Sequence, residues 1–553
     1  MDGVKLSPRL QSHGRELASQ VSHRVVVGAA LFVGVTGNFL VQGSQGPGLN
    51  MSLFFVTLAL AIGAVTRLTG RPPSREAWSW IIAGVVLSIG LAIRASPTLQ
   101  VVVFLAASAA FTFPALRAGT DWMRGSGVSD HLEAVVGAVG HAGFGGFRVV
   151  ADLLSSQAGV PGDGENASAL ENRGHSTRQG VSAILRGLLL AAPFLFVFGA
   201  LFVSADRVFA DLINGLVGTA MDEWASHLVV TGILAWLATG YLTGFLTGTR
   251  LRGGVQAGTG RPSLGVVEVC IVLGLVALLF TAFVLVQFRY LFGGAGLVEV
   301  SPGLTYAQYA REGFGQLALA SALVLPTLLI SDWLLRRASA GGRRTFRVIG
   351  GIQLLLLVLV IASAFRRVRA YQEAYGLTES RFYGVVLLAW LTLLSIWFGL
   401  TVLRGKRKRF AFPALLSAFA MVAALFLANP DVWIAQSNLA RSGLGLAPTA
   451  QEAAVTGARE NAARVTTDHP SIDAAYLASL SADAVPTLLR ALPALPLDSQ
   501  CDLARRLLER WDAHPAQDWR SWNRAVVRAR EAVRSESTKL QSMVGDTAGC
   551  PER

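Results

Sequence analysis

The sequence predicts an all-α fold, a polytopic transmembrane helical bundle of about 11 spans with a small C-terminal helical soluble domain. Three observations predict it. Hydrophobic residues make up 52% of the chain and charged residues only 15%, with a mean hydropathy of +0.49, a surplus beyond what a water-soluble core needs. The surplus is gathered into runs of about 17 to 25 residues, the length at which a helix crosses a hydrocarbon layer. After residue 428 the runs stop and amphipathic patterns replace them.

Taken in order, residues 1–24 form a basic N-terminal tail. The run that follows is long and ends in Gln42-Gly-Ser-Gln-Gly46 without a small-x-small cleavage pattern, which predicts an uncleaved first span rather than a signal peptide. Residues 25–116 hold four runs, at 25–42, 51–66, 77–93 and 97–116. Residues 117–179 are a loop in which Leu132, Val135, Val136, Val139, Phe147, Val150 and Leu154 recur near helical spacing. That spacing suits an interfacial helix, while the many glycines suit a loosely docked loop, and a Gly/Asn/Ser linker closes the segment. The core at 180–428 supplies runs at 187–204, 226–248, 264–287, 315–335, 346–365, 382–403 and 410–428. In 429–553 acidic and basic residues nearly cancel, and 473–480, 482–492, 499–511 and 516–541 read as helices of a small bundle.

The net charge of +13 falls in alternate loops beside the spans, as the positive-inside rule requires, so it does not imply nucleic acid. Arg67, Arg71, Arg75, Arg117, Arg124, Arg250, Arg252, Arg261, the 336–347 cluster and the Arg404-Gly-Lys-Arg-Lys-Arg409 run share one side, expected to be cytoplasmic. An odd span count then puts the N-terminus inside and the C-terminus outside, in a multi-pass cell-membrane protein. Arg supplies nearly all the basic residues, which together with abundant Ala and Gly hints at a GC-rich bacterial genome and hence an inner membrane.

The three cysteines exclude a four-thiolate metal site. Cys501 and Cys550 share the tail and either pair or stay free. Scattered histidines, and the lack of Walker, nucleophile-elbow or dinucleotide motifs, leave no metal, cofactor or catalytic residue to nominate. Ionisable groups inside spans are few: Glu268 lies one turn into its run, and Gln353 near the start of another.

Polar and aromatic phrases collect instead at the expected outer ends of spans. Asp206, Arg289, Tyr290, Tyr306, Tyr309, Arg311, Glu312, Arg366, Arg367, Arg369, Tyr371, Glu373 and Asp431 are the candidate ligand-binding residues. The Arg366, Arg367 and Arg369 group is the anomaly, because it sits where Arg should be scarce. Local pairing explains it simply: on a helix continued outward, Arg369 and Glu373 are one turn apart. The sharper explanation is an anionic envelope ligand or lipid headgroup, which guanidinium forks bind bidentately. The tyrosines suit interface anchoring or ligand stacking.

Several of these phrases carry a family resemblance. Arg186-Gly-Leu-Leu-Leu190 through Ser204-Ala-Asp206, Val286-Gln-Phe-Arg-Tyr-Leu-Phe-Gly293, Gly303-Leu-Thr-Tyr-Ala-Gln-Tyr-Ala-Arg311, Asn429-Pro-Asp431 and Asn438-Leu-Ala-Arg441 occur in order. Over roughly 180 to 490 the chain resembles an uncharacterised bacterial multi-pass family, domain of unknown function 4173. The resemblance implies an integral membrane protein and no particular activity. Three functional classes remain: a membrane-embedded binding, sensory or scaffold component, a permease or lipid transporter, and an enzyme on a lipid-linked substrate. The lipid bilayer is the one partner all three require.

Overall fold

The computed structural model describes residues 8–114, 128–157, 222–247, 266–292, 314–335, 340–441, 472–512 and 518–545. All the regular structure in them is helical. The run at 187–204, the linker after 157 and Cys550 lie outside the described residues.

Four helices open the chain: α1 (Pro8–Val41), α2 (Leu49–Leu68), α3 (Arg75–Ile93) and α4 (Pro97–Thr112). They are followed by α5 (Val128–Gln157), α6 (Asp222–Thr247), α7 (Val266–Phe292), α8 (Phe314–Leu334), α9 (Ala340–Tyr375), α10 (Glu379–Thr401) and α11 (Ala411–Ala428). Among the described residues nine helices are long and apolar enough to cross a membrane, namely α1 to α3 and α6 to α11. The run at 97–116 yields a helix of 16 residues, rising about 24 Å at 1.5 Å per residue against a hydrocarbon core of about 30 Å.

The side chains point the way a lipid solvent dictates. Val267, Ile271, Leu275, Leu278, Leu279 and Leu285 of α7 are all more than half exposed, although that span is the most hydrophobic of the nine. A continuous apolar face of this kind has no place in water. Helices pack tightly where their residues are small. A Cβ on Gly34 of α1 would lie 2.6 Å from the Thr231 carbonyl of α6, and one on Gly240 of α6 would strike the His141 carbonyl of α5. Small residues at such crossings let backbones approach, which drives association in lipid where burial of apolar surface offers no gain.

Two packed groups result. Ile62, Ile81, Leu99, Phe111 and Leu242 centre the first, built from α1 to α4 and α6. Leu273, Leu328, Leu357, Ile361 and Phe398 centre the second, built from α7 to α10. Helix α11 touches both: Val422 and Leu425 enter the first core, and the Trp390 indole of α10 donates to Ser417 at 3.0 Å. The segment read as a loop with a possible interfacial helix holds α5, which lies along α6 with the Trp236 indole donating to the Gly143 carbonyl at 2.8 Å.

The last part is α12 (Pro430–Arg441), α13 (Ala474–Ser479), α14 (Val485–Ala491), α15 (Leu497–Trp511), α16 (Arg524–Ser535) and α17 (Ser537–Gly545). These are amphipathic. Leu503, Ala504, Leu507 and Trp511 of α15 are buried while Asp502, Arg506 and Glu509 face out, and Ala525, Ala529 and Val533 of α16 follow the same one-turn spacing. They share a core with Ile434, Ala435 and Leu439 of α12. The charged helix expected near 516–541 is interrupted, because a turn at Trp519–Ser521 docks against the bundle and Asn523 caps α16 by accepting from the Ala525 and Val526 N–H groups.

Candidate functional site

This C-terminal unit docks on one end of the bundle, where the α1–α2, α3–α4, α9–α10 and α11–α12 connections meet. Each connection ends in backbone groups that a helix cannot satisfy internally, and the unit supplies partners for them. Arg520 donates to the Phe39 carbonyl at 2.7 Å and the Gln42 carbonyl at 2.9 Å, and it is held by Asp518. Those hydrogen bonds from Arg520 hold the Asp518 carboxyl below the usual carboxylate range. The Asn523 amide donates to the Leu91 and Arg94 carbonyls, so one side chain caps two helices. Asn438 donates to the Leu377 carbonyl and accepts from its N–H.

At the centre of this junction lie three carboxyl groups. Asp483 of the unit accepts from Arg94 at 3.1 Å and from the Ala95 N–H at 2.8 Å. Its side chain is 4% exposed against 20% for Arg94. Burial pushes the Asp483 carboxyl up, against the opposing pull of the Ala95 N–H and Arg94. Asn429, in the left-handed conformation with φ 53° at the end of α11, reaches the same carboxylate at 3.4 Å. Asp431 has no exposed surface and accepts from the Ser481 N–H at 3.2 Å. Glu379, the first residue of α10, lies beside Asp431 and accepts from the Ser96 hydroxyl at 3.4 Å. The Glu379 N–H donates to the Tyr476 hydroxyl at 2.9 Å, and burial pushes that phenol up to about 12. Arg510 donates to the Ala478 and Leu480 carbonyls beside Asp431.

Chemically this is a closed polar clamp. Its carboxyl groups come from three elements that are distant in sequence, and Asp431 is sealed from solvent, so a dissolved substrate does not reach it. Among the described residues no set of three His, Cys, Asp or Glu side chains converges as a metal site.

Of the candidate residues, Asp431 lies in this clamp. Arg366 and Arg369 are exposed and Arg367 is half-buried near the end of α9. That helix runs on to Tyr375, which sets residues 369 and 373 one turn apart on its backbone. Arg289, Tyr290, Tyr371 and Glu373 belong to described helices by backbone alone, while Asp206, Tyr306, Tyr309, Arg311 and Glu312 lie outside the described residues. Sequence reasoning missed Arg94, Glu379, Tyr476 and Asp483. Arg94 had a signal: it ends a span on the side expected to be poor in Arg, the same anomaly that singled out Arg366. Asp483 had none, since an Asp between amphipathic helices is ordinary.

A bundle of apolar, outward-facing helices with an amphipathic unit on one end defines a multi-pass membrane protein. Residues 81–491, well over half of the chain, match the family described as Domain of unknown function (DUF4153), and the chain belongs to that family. This corrects the resemblance to domain of unknown function 4173. The phrases that suggested it are apolar runs with short polar and aromatic ends, a pattern any polytopic bundle needs, so their likeness separates such families poorly. No curated protein and no solved structure matches the chain.

Proposed function

We propose that this is a membrane-embedded binding or sensory component, in which an extracytoplasmic C-terminal unit is coupled to the span ends beneath it. One observation carries the reading: Arg94, Glu379, Asp431 and Asp483 join the unit to three separate span connections through buried polar contacts. A ligand or partner that moves the unit therefore acts directly on the ends of α3, α10 and α11. Contacts that satisfy buried polar groups hold two discrete arrangements better than a continuum, which suits a switch.

Orientation follows from two supports. Arg67, Arg71, Arg75 and the 404–409 run lie at the end opposite the unit, which favours that end as cytoplasmic. Cys501 in the unit is disulfide-bonded and Cys270 in α7 is free. A disulfide belongs to an oxidising compartment such as the bacterial periplasm or the cell exterior. With α4 and the 187–204 run counted among about eleven spans, the N-terminus is cytoplasmic in an inner membrane. On the outer face Arg366, Arg367 and Arg369 then recognise an anionic envelope ligand, with Asp206, Arg289, Tyr290, Tyr306, Tyr309, Arg311, Glu312, Tyr371 and Glu373 as the surrounding candidates. The permease reading has one observation in its favour, Pro326 inside α8, since a proline at mid-span removes one helical N–H donor and leaves a backbone carbonyl that can face a path.

The test is labelling of intact cells with a membrane-impermeant maleimide, in a chain with Cys270→Ser and a single added cysteine at Tyr375, Lys408 or Arg506. Labelling at 375 and 506 with protection at 408 is expected. Labelling at 408 alone puts the unit and the Arg group in the cytoplasm and removes the proposal.

A further inference from the structure

The basic end of the bundle holds a second polar site that the junction does not involve. There α8, the start of α9 and the turn between α10 and α11 enclose a cavity of about 100 Å³. Its polar lining is Arg343, Arg347 and Arg407 against one carboxylate, Asp332. Three arginines and one aspartate leave a surplus of positive charge in a space of a few water volumes, at about 30 Å³ per water.

The placement of the arginines concentrates this charge. Arg343 and Arg347 are one turn apart on α9, and like charges at that spacing repel. Arg343 also lies in the first turn of α9, where the helix dipole is already positive. Asp332 is 8% exposed and binds Arg407 at 2.7 Å, which fixes that guanidinium at the wall. At Gly405, φ is 81°, and a Cβ there would come within 3.7 Å of the Arg347 guanidinium, so the turn brings bare backbone up to it. Phe346 and Leu335 close the apolar side.

An arrangement of forked cations around a small cavity, with too few anions of its own, is complementary to one tetrahedral anion. We propose that this cavity binds a phosphate group, presented either by the headgroup of an anionic phospholipid or as free inorganic phosphate. The position at the ends of α8, α9 and α10 suits a headgroup, because lipid phosphates lie at the same depth as span ends. The inference does not depend on which side of the membrane this end faces.

The experiment uses the full-length protein. Purified protein is titrated with inorganic phosphate while its unfolding temperature is followed, and protein from nanodiscs of mixed phosphatidylglycerol and phosphatidylcholine is analysed by native mass spectrometry. Stabilisation by phosphate identifies the free anion, and preferential retention of phosphatidylglycerol identifies the headgroup. In either case Arg347→Gln and Arg343→Gln each weaken binding by roughly 10- to 100-fold, the range for losing a charge-assisted hydrogen bond. Arg347→Lys keeps part of it. Arg344→Gln, which removes an exposed neighbour outside the cavity, leaves it unchanged. The wild-type protein alone can overturn the proposal, by showing neither phosphate stabilisation nor any preference between the two lipids. An Arg344→Gln loss equal to that of Arg347→Gln also overturns it, because binding is then a property of the basic surface and not of the cavity.

Discussion

Arg94 shows how one residue serves two solvents. It stands at the end of α3 with its guanidinium 5.2 Å from the Phe426 ring, donates to the Phe426 carbonyl, and pairs with Asp483 of the C-terminal unit. Arg94→Ala would strand Asp483 without its cation. The expected cost is on the order of 2–3 kcal/mol, below that of a fully buried pair because Arg94 keeps 20% of its side chain exposed. The double variant Arg94→Leu with Asp483→Asn should recover most of that loss, since the amide oxygen still accepts from the Ala95 N–H and no buried charge is left unpaired. Thermal unfolding of the three proteins in detergent decides the matter. A double variant no more stable than Arg94→Ala would mean that the pair is not what holds the unit here. Asp431 was legible as polar detail at a span end, but its role was not. Only the fold shows that it accepts from the Ser481 N–H, 50 positions later, and has Glu379, 52 positions earlier, as a neighbour.

Among the elements, α5 departs most from what glycine content suggests, and the docking turn from what periodicity suggests. The glycines of α5 argue against a helix when propensity alone is considered, yet Gly145 and Gly146 meet Gly240 and Trp236 of α6. Close backbone approach replaces propensity as the stabilising term. A Cβ on Gly244 would lie 3.0 Å from the His141 Cβ, near the separation of about 3.5–4.5 Å that a disulfide spans. The pair His141→Cys with Gly244→Cys should therefore cross-link under mild oxidation in membranes, so that protease cleavage between them leaves two fragments joined until a reductant is added. Absence of that product, with both thiols reactive to reagent, would show that α5 does not lie along α6. The docking turn makes a different prediction. Asp518 is depressed by Arg520, so it binds a proton less readily folded than unfolded. Its contribution is present above the unfolded value of about 3.9 and lost as pH falls through the folded value. Asp518→Asn should thus lower stability near neutrality and flatten the acid limb of the unfolding curve. Parallel acid limbs for the two proteins would contradict this.

For the whole molecule, the change from helices long and apolar enough to cross a membrane to amphipathic helices was readable in the chain itself, because each solvent imposes its own pattern. Lipid demands long apolar runs with all backbone groups paired internally, and water demands one apolar stripe per helix. Helices α1 to α3 and α6 to α11 fall where their runs predict, and α15 and α16 show the stripe. Among the described residues Arg67, Arg71, Arg75 and the 404–409 run likewise share one end, since charge placement is decided by local sequence beside each span. What the tertiary structure alone decided is which span ends meet and what they form there. The junction of Arg94, Glu379, Asp431 and Asp483, and the cavity of Arg343, Arg347, Arg407 and Asp332, each draw on three or more elements. Helix pairing in lipid is set by small-residue fit and a few buried polar contacts, which leave little trace in hydropathy, so the protein's polar sites emerge only once its helices are packed.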